Sequence, residues 1–208
     1  MRKLLVVVLA LLLVSPFSLR ASDYKALFAS VAPLQAVAND VLRNVCTVTS
    51  IDASKHYWLT AAHCIAINPD EDGTRYVNGD LASIVANDPN FDLAVVATER
   101  AYAPAAKIAK VGPKYGDPLT LVGHPHGFSM PFLTFGNVAN PSYLIEGDTV
   151  PMMFYTTVAA PGHSGSAVFN AEGEVVSVLQ VGFGQRTFTA MLAGATYPNL
   201  VAFLATVK

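Results

Sequence analysis

Charge is scarce in this chain. Lysine, arginine, aspartate and glutamate make up only 13% of the 208 residues, and 13 bases against 15 acids leave a formal net charge of −2. Proteins that grip nucleic acid carry a basic excess, so this balance argues against that class. The low charge, with 52% hydrophobic residues and a mean hydropathy of +0.41, is too apolar for a disordered chain. Internal repeats of fixed period and low-complexity tracts are absent, and the length suits one domain or two small lobes with a buried core. Beyond residue 14 no apolar run is long enough to span a membrane.

The one long apolar run is at the start. Arg2 and Lys3 precede an unbroken stretch from Leu4 to Val14, followed by Ser15-Pro16-Phe17-Ser18. A basic head, a short apolar centre and small residues behind it form an export signal. As a helix the stretch spans about 16 Å, against about 30 Å of bilayer hydrocarbon. Cleavage after Ala21 removes Arg2, Lys3 and Arg20 and no acid, leaving a more acidic mature protein. The expected location is secreted or periplasmic, with membrane contact only through an uncleaved leader.

Residues 34–44 carry weak helical spacing through Leu34, Val37 and Val41, with Pro33 placed to start a helix. From Val45 the texture changes to short β-rich runs broken by Gly, Pro, Asn and Asp. These are Val45–Ile51, Tyr57–Thr60, Leu81–Val85, Leu93–Ala97, Leu119–Val122, Thr134–Val138, Phe154–Val158, Ala167–Phe169, Val175–Val181 and Thr187–Leu192. Such a pattern predicts an all-β barrel or sandwich. Tyr102–Pro118, rich in Ala, Pro, Lys and Gly, resembles a connection between two lobes, and residues 198–206 return to helical spacing behind Pro198.

Three segments carry chemistry. Trp58-Leu-Thr-Ala-Ala-His63-Cys64 delivers a histidine from an apolar strand, and Phe91-Asp92-Leu-Ala-Val-Val96 sets an aspartate at the mouth of another. Pro161-Gly162-His163-Ser164-Gly165-Ser166 presents a serine on a glycine turn. A serine hydroxyl becomes a nucleophile when an imidazole takes its proton, and the imidazole needs a carboxylate on its other nitrogen. Backbone N–H groups converging in a glycine turn stabilise the oxyanion. Chain order separates the hydrolase classes. No histidine follows Ser164 and residue 166 is Ser, so the serine–acid–histidine order and the Gly-x-Ser-x-Gly elbow both fail. Asp52 has no supporting motif for an aspartate-first order. The order His63, Asp92, Ser164 is the order of the chymotrypsin fold.

The motifs themselves resemble those of the trypsin-like (chymotrypsin-fold) serine proteases, above all compact bacterial and HtrA-type protease domains. Thr60-Ala-Ala-His63-Cys64, Asp92-Leu-Ala-Val-Val96 and Gly162-His-Ser164-Gly-Ser166 match the family's histidine, aspartate and serine motifs. Gly116–Pro125 resembles the strand opening the second barrel, and Tyr197–Val201 the start of the closing helix. The resemblance implies two packed six-stranded antiparallel β-barrels, about 45–101 and 115–195, with a C-terminal helix at about 198–206 and residues 22–44 as an N-terminal extension. It implies a secreted serine endopeptidase, with His63 as general base, Asp92 orienting it and Ser164 as nucleophile. Gly162 and Ser164 would supply the oxyanion-hole amides, and a polypeptide substrate would lie along Gln180-Val181-Gly182. Val158 falls where the family's specificity pocket has its base; no charge is present there, so a small or medium apolar residue is expected before the cut. A Cys46–Cys64 disulfide is also implied, and no cofactor.

Departures accompany the matches. No segment is suited to forming a new N-terminus by zymogen cleavage, and His163 stands before Ser164, where it is expected at a pocket rim or on the surface. No PDZ-like region is expected behind the protease domain. His124 and His126 fall on a turn of the second barrel, and the acidic loop 70–73 lacks the alternating ligand spacing of an EF-hand loop, so no metal site is expected. The alternative from another class is a catalytically silent protease-fold protein serving as a binding or regulatory module.

Overall fold

The computed structural model describes residues 21–67, 73–100, 103–183 and 189–207. The leader, the acidic stretch 70–72 and the start of the run expected at 187–192 lie outside the described residues. Helix α1 (Ala21–Ser30) leads into six strands, β1 (Val31–Ala38), β2 (Val41–Asp52), β3 (Tyr57–Thr60), β4 (Arg75–Val77), β5 (Asp80–Asp88) and β6 (Leu93–Thr98), with helix α2 (Ala62–Ala66) after β3. They close into a barrel in the order β1-β2-β3-β6-β5-β4. A connection then leads to β7 (Pro118–Gly123), a single 3-10 turn (Pro125–Gly127), β8 (Phe132–Tyr143), β9 (Met152–Ala159), β10 (Ala167–Phe169), β11 (Val175–Phe183) and β12 (Thr189–Ala195). This second set closes in the order β10-β11-β12-β9-β8-β7. Helix α3 (Tyr197–Leu204) ends the fold, its first turn capped by the Thr196 hydroxyl, which accepts from the Asn199 N–H at 3.4 Å. No described helix is long and apolar enough to cross a membrane.

The helix expected over residues 34–44 is instead a β-hairpin. Leu34 and Ala36 alternate inward and are fully buried, and Asn39 and Asp40 both take left-handed φ angles of 52° and 59°. These two residues make the tight turn that joins Ala38 to Val41, its partner in the ladder. The apolar positions 34, 37 and 41 fit a helical spacing, but the turn between them settles the period at two. The first barrel therefore begins at Val31, not near residue 45, and among the described residues α1 alone precedes it.

One core cluster fills the first barrel through Leu34, Val48, Trp58, Leu59 and Val95 and continues across the seam to Val122, Phe169, Val178, Leu200 and Phe203. A second, around Leu121, Met153, Tyr155 and Leu192, belongs to the second barrel. The shared apolar seam presses the lobes together, so loops at the ends of strands from both barrels meet across it.

Candidate active site

His63 sits on α2 directly behind β3, and a buried cation supports this short helix. The Arg75 guanidinium donates from Nη2 to the Ile65 carbonyl at 2.7 Å and from Nε to the Cys64 carbonyl at 3.4 Å. A positive group at the carbonyl end of a helix answers its exposed acceptors. Asp92 holds His63 twice: Oδ2 meets Nδ1 at 2.7 Å, and Oδ1 accepts the His63 backbone N–H at 2.7 Å. Both carboxylate oxygens are committed, so ring and backbone of the histidine are oriented together. The pair is half-open to solvent, with side chains 38% and 28% exposed.

Asp92 adopts a left-handed φ of 50°, an uncommon conformation for a residue with a side chain. Upstream, Asp88 Oδ1 accepts the N–H groups of Asn90 and Phe91 at 2.9 and 3.1 Å. From the other barrel, Gln180 Nε2 donates to the carbonyls of Phe91 and Asp92 at 2.6 and 2.9 Å.

The serine loop lies between β9 and β10. Gly162 and Gly165 take φ angles of 99° and 81°, and a Cβ on Gly165 would strike Thr60 Oγ1 and the Thr47 carbonyl. Glycine is required here for both reasons. His163, Gly165 and Ser166 donate their amides within the fold, to Ala160, Leu179 and His163 carbonyls. Among the described residues the Gly162 and Ser164 amides donate to no protein acceptor. Two spare N–H groups thus flank the serine.

Thr47, on β2, fixes this loop from the first barrel. Its N–H donates to the Ser164 carbonyl at 2.8 Å, and its hydroxyl donates to the Gly162 carbonyl at 2.9 Å while accepting the His124 N–H at 2.9 Å. Its own carbonyl accepts the Thr60 hydroxyl at 2.8 Å. Sequence reasoning passed over Thr47; its only signal is a hydroxyl inside the buried run Val45–Ile51. The neighbouring Cys46 is bonded to Cys64, so a disulfide ties the strand carrying Thr47 to the helix carrying His63. The three groups Cys46, His63 and Cys64 cluster tightly, but both sulfurs are used by the bridge.

No hydrogen bond joins Ser164 Oγ to His63 among the described residues; His63 Nε2 lies 3.7 Å from the Cys64 sulfur. His163 is not at a surface or rim: it is 3% exposed, folded back so that Nδ1 accepts the Ala160 N–H at 3.1 Å. Burial pushes its imidazole down to about 4, and burial also lowers His124. Ser166 is fully buried beside Gly123 and His163. Val158 lies on β9 with its side chain about half exposed, its carbonyl accepting from Thr134 Oγ1 at 3.0 Å. Gln180 is buried against Asp92, while Val181 and Gly182 are exposed. Beside them opens a groove of about 240 Å³ bordered by Phe91, Asp92, Asp148, Val150, Met152 and Val181.

Two closed six-stranded antiparallel barrels with their loops meeting at the seam define the chymotrypsin-like class. The description of a trypsin-like peptidase domain matches residues 46–178, and the chain belongs to that family. It is 33% identical over 132 residues to a probable periplasmic serine endoprotease, DegP-like, of Pseudomonas putida, covering 62% of this chain and 27% of that protein. A protein of the same description from Hahella chejuensis is 32% identical over 126 residues, or 59% of this chain and 26% of its own. The chain thus matches about a quarter of the length of these curated relatives. Among solved structures, the HtrA-type protease AlgW with a decapeptide superposes with a TM-score of 0.77 at 18% identity, covering 90% of this chain and 66% of that one. The serine endoprotease from Yersinia pestis gives 0.67 at 19% identity, covering 89% and 65%. At these identities the likeness speaks for the fold.

Proposed function

We propose that this protein is an exported serine endopeptidase, active in the periplasm or outside the cell. The observation that carries the reading is the double grip of Asp92 on His63, which fixes the tautomer with Nε2 free to take a proton. Ser164 Oγ attacks the peptide carbonyl as His63 Nε2 accepts its proton, and the oxyanion is received by the spare Gly162 and Ser164 amides. His63 then protonates the leaving amine, and water activated by His63 hydrolyses the ester on Ser164. The hydrogen bond between Ser164 and His63 forms with substrate in place, as catalytic hydrogen bonds often tighten only then.

The substrate strand has support in the topology. The ladder between β11 and β10 runs from Val175 to Val178 and no further, and among the described residues Val181–Phe183 pair with β12 alone. Their second edge is open for an extended peptide to join as an added strand. Val158, Val181 and Gly182 carry no charge themselves, and the preference proposed at these residues is for a small or medium apolar side chain before the cut, since they offer a buried lysine or arginine no partner.

The test is intact mass after treatment with a fluorophosphonate, with Ser164→Ala alongside. One adduct on the wild type and none on the variant is the expected result. A folded wild type that takes no adduct overturns the enzyme reading in favour of a silent binding module.

A further inference from the structure

We infer that Gln180 is a positioning residue for Asp92, acting through its carboxamide across the seam, and is not a side-chain contact for substrate; this rests on the proposed role of the His63–Asp92 pair. The local structure explains why the side chain points there. On β11, Leu179 pairs with Gly194 and Val181 with Ala193, so Gln180 is the extra residue of a β-bulge. A bulge breaks the in–out alternation and re-aims a side chain. Here it turns the amide away from its own barrel and onto the loop that delivers Asp92.

The contact has a chemical direction. Both partners are carbonyl oxygens, so only the NH2 end can meet them, and it meets both, at 2.6 Å to Phe91 and 2.9 Å to Asp92. Those carbonyls stand on the two sides of the Asp92 Cα, whose φ is left-handed at 50°. An unfavourable backbone conformation persists where its surroundings over-determine it. Asp88 supplies restraint from the first barrel through the Asn90 and Phe91 amides, and Gln180 supplies it from the second. Displacing this turn changes the aim of both Asp92 oxygens, and with them the ring and backbone of His63 together.

Gln180 is also the residue directly before the open edge Val181–Phe183. A peptide added to that edge stiffens the segment whose side chain holds Asp92. Substrate docking and orientation of the acid therefore share one short piece of backbone.

The test compares Gln180→Met, similar in shape but with no donor, and Gln180→Glu, which when ionised presents only lone pairs and when protonated can donate to one of the two carbonyls but not both. A fluorophosphonate reacts with the nucleophile without occupying the extended strand, so it separates positioning from substrate contact. Expected are a phosphonylation rate and a kcat lowered by the same factor, about ten- to hundredfold, with KM for a peptide substrate within about twofold. The low-field NMR signal of the proton between His63 Nδ1 and Asp92 should broaden or move in both variants. Wild-type phosphonylation with a raised KM and an unmoved proton signal overturns the proposal and makes Gln180 a substrate contact. Should the wild type itself take no fluorophosphonate, the enzyme reading fails separately, and the proton signal alone decides the role of Gln180. Should Gln180→Met fail to fold, Gln180→Glu carries the same comparison.

Discussion

Replacing Thr47 by valine keeps the shape of a buried side chain and strands two partners, the Gly162 carbonyl and the His124 amide. Each buried group left without a partner costs about 1–3 kcal/mol, so Thr47→Val should lower Tm by on the order of 10 °C. Fluorophosphonate labelling should slow as well, because the loop bearing Ser164 loses its tether. A melting curve and a labelling rate both equal to wild type would show that the loop keeps its place without the hydroxyl. His163 makes a different residue-scale demand. Its buried imidazole titrates near 4, whereas an unfolded histidine titrates near 6.5. Between these values the unfolded chain binds more protons, so stability falls as pH drops through 6.5 and levels off below about 4. The loss amounts to roughly 3 kcal/mol. Urea unfolding at a series of pH values checks this, and His163→Gln should flatten the slope in that window.

At the scale of elements, the disulfide closes a loop with a sequence separation of 18 and stabilises by about 3 kcal/mol on the loop-closure account. Reduction should lower the unfolding free energy by that amount in urea titrations with and without a phosphine reductant. It should also slow labelling, since one half-cystine adjoins Thr47 and the other adjoins His63. Unchanged labelling in the reduced, folded protein would mean the strands keep these residues aligned unaided. The elements differ in how plainly the chain announced them. His63, Asp92 and Ser164 stand in short contiguous motifs whose chemistry is local, and most strands carry β-rich runs between turn residues. The hairpin at 31–52 was misread because Leu34, Val37 and Val41 satisfy a helical period, while Asn39-Asp40 carries the turn. β4 is three residues long and has no pattern of its own. The roles of Thr47 and Gln180 depend on partners 115 and 88 residues away and, for Gln180, on a bulge. No local window contains either fact.

Across the whole molecule, the seam is continuous and apolar, and the polar contacts that shape the site cross it in both directions. The first barrel reaches over with the Thr47 hydroxyl and amide to hold the serine loop. The second reaches back with the Gln180 carboxamide to hold the turn at Asp92. The disulfide lies wholly within the first barrel's strand and helix and fastens neither of these crossings. Any shear of one barrel over the other would break both crossings in one movement, the hold on the turn at Asp92 and the hold on the serine loop. The two barrels work like meshed gears, and the buried cluster that runs through both is what keeps them engaged.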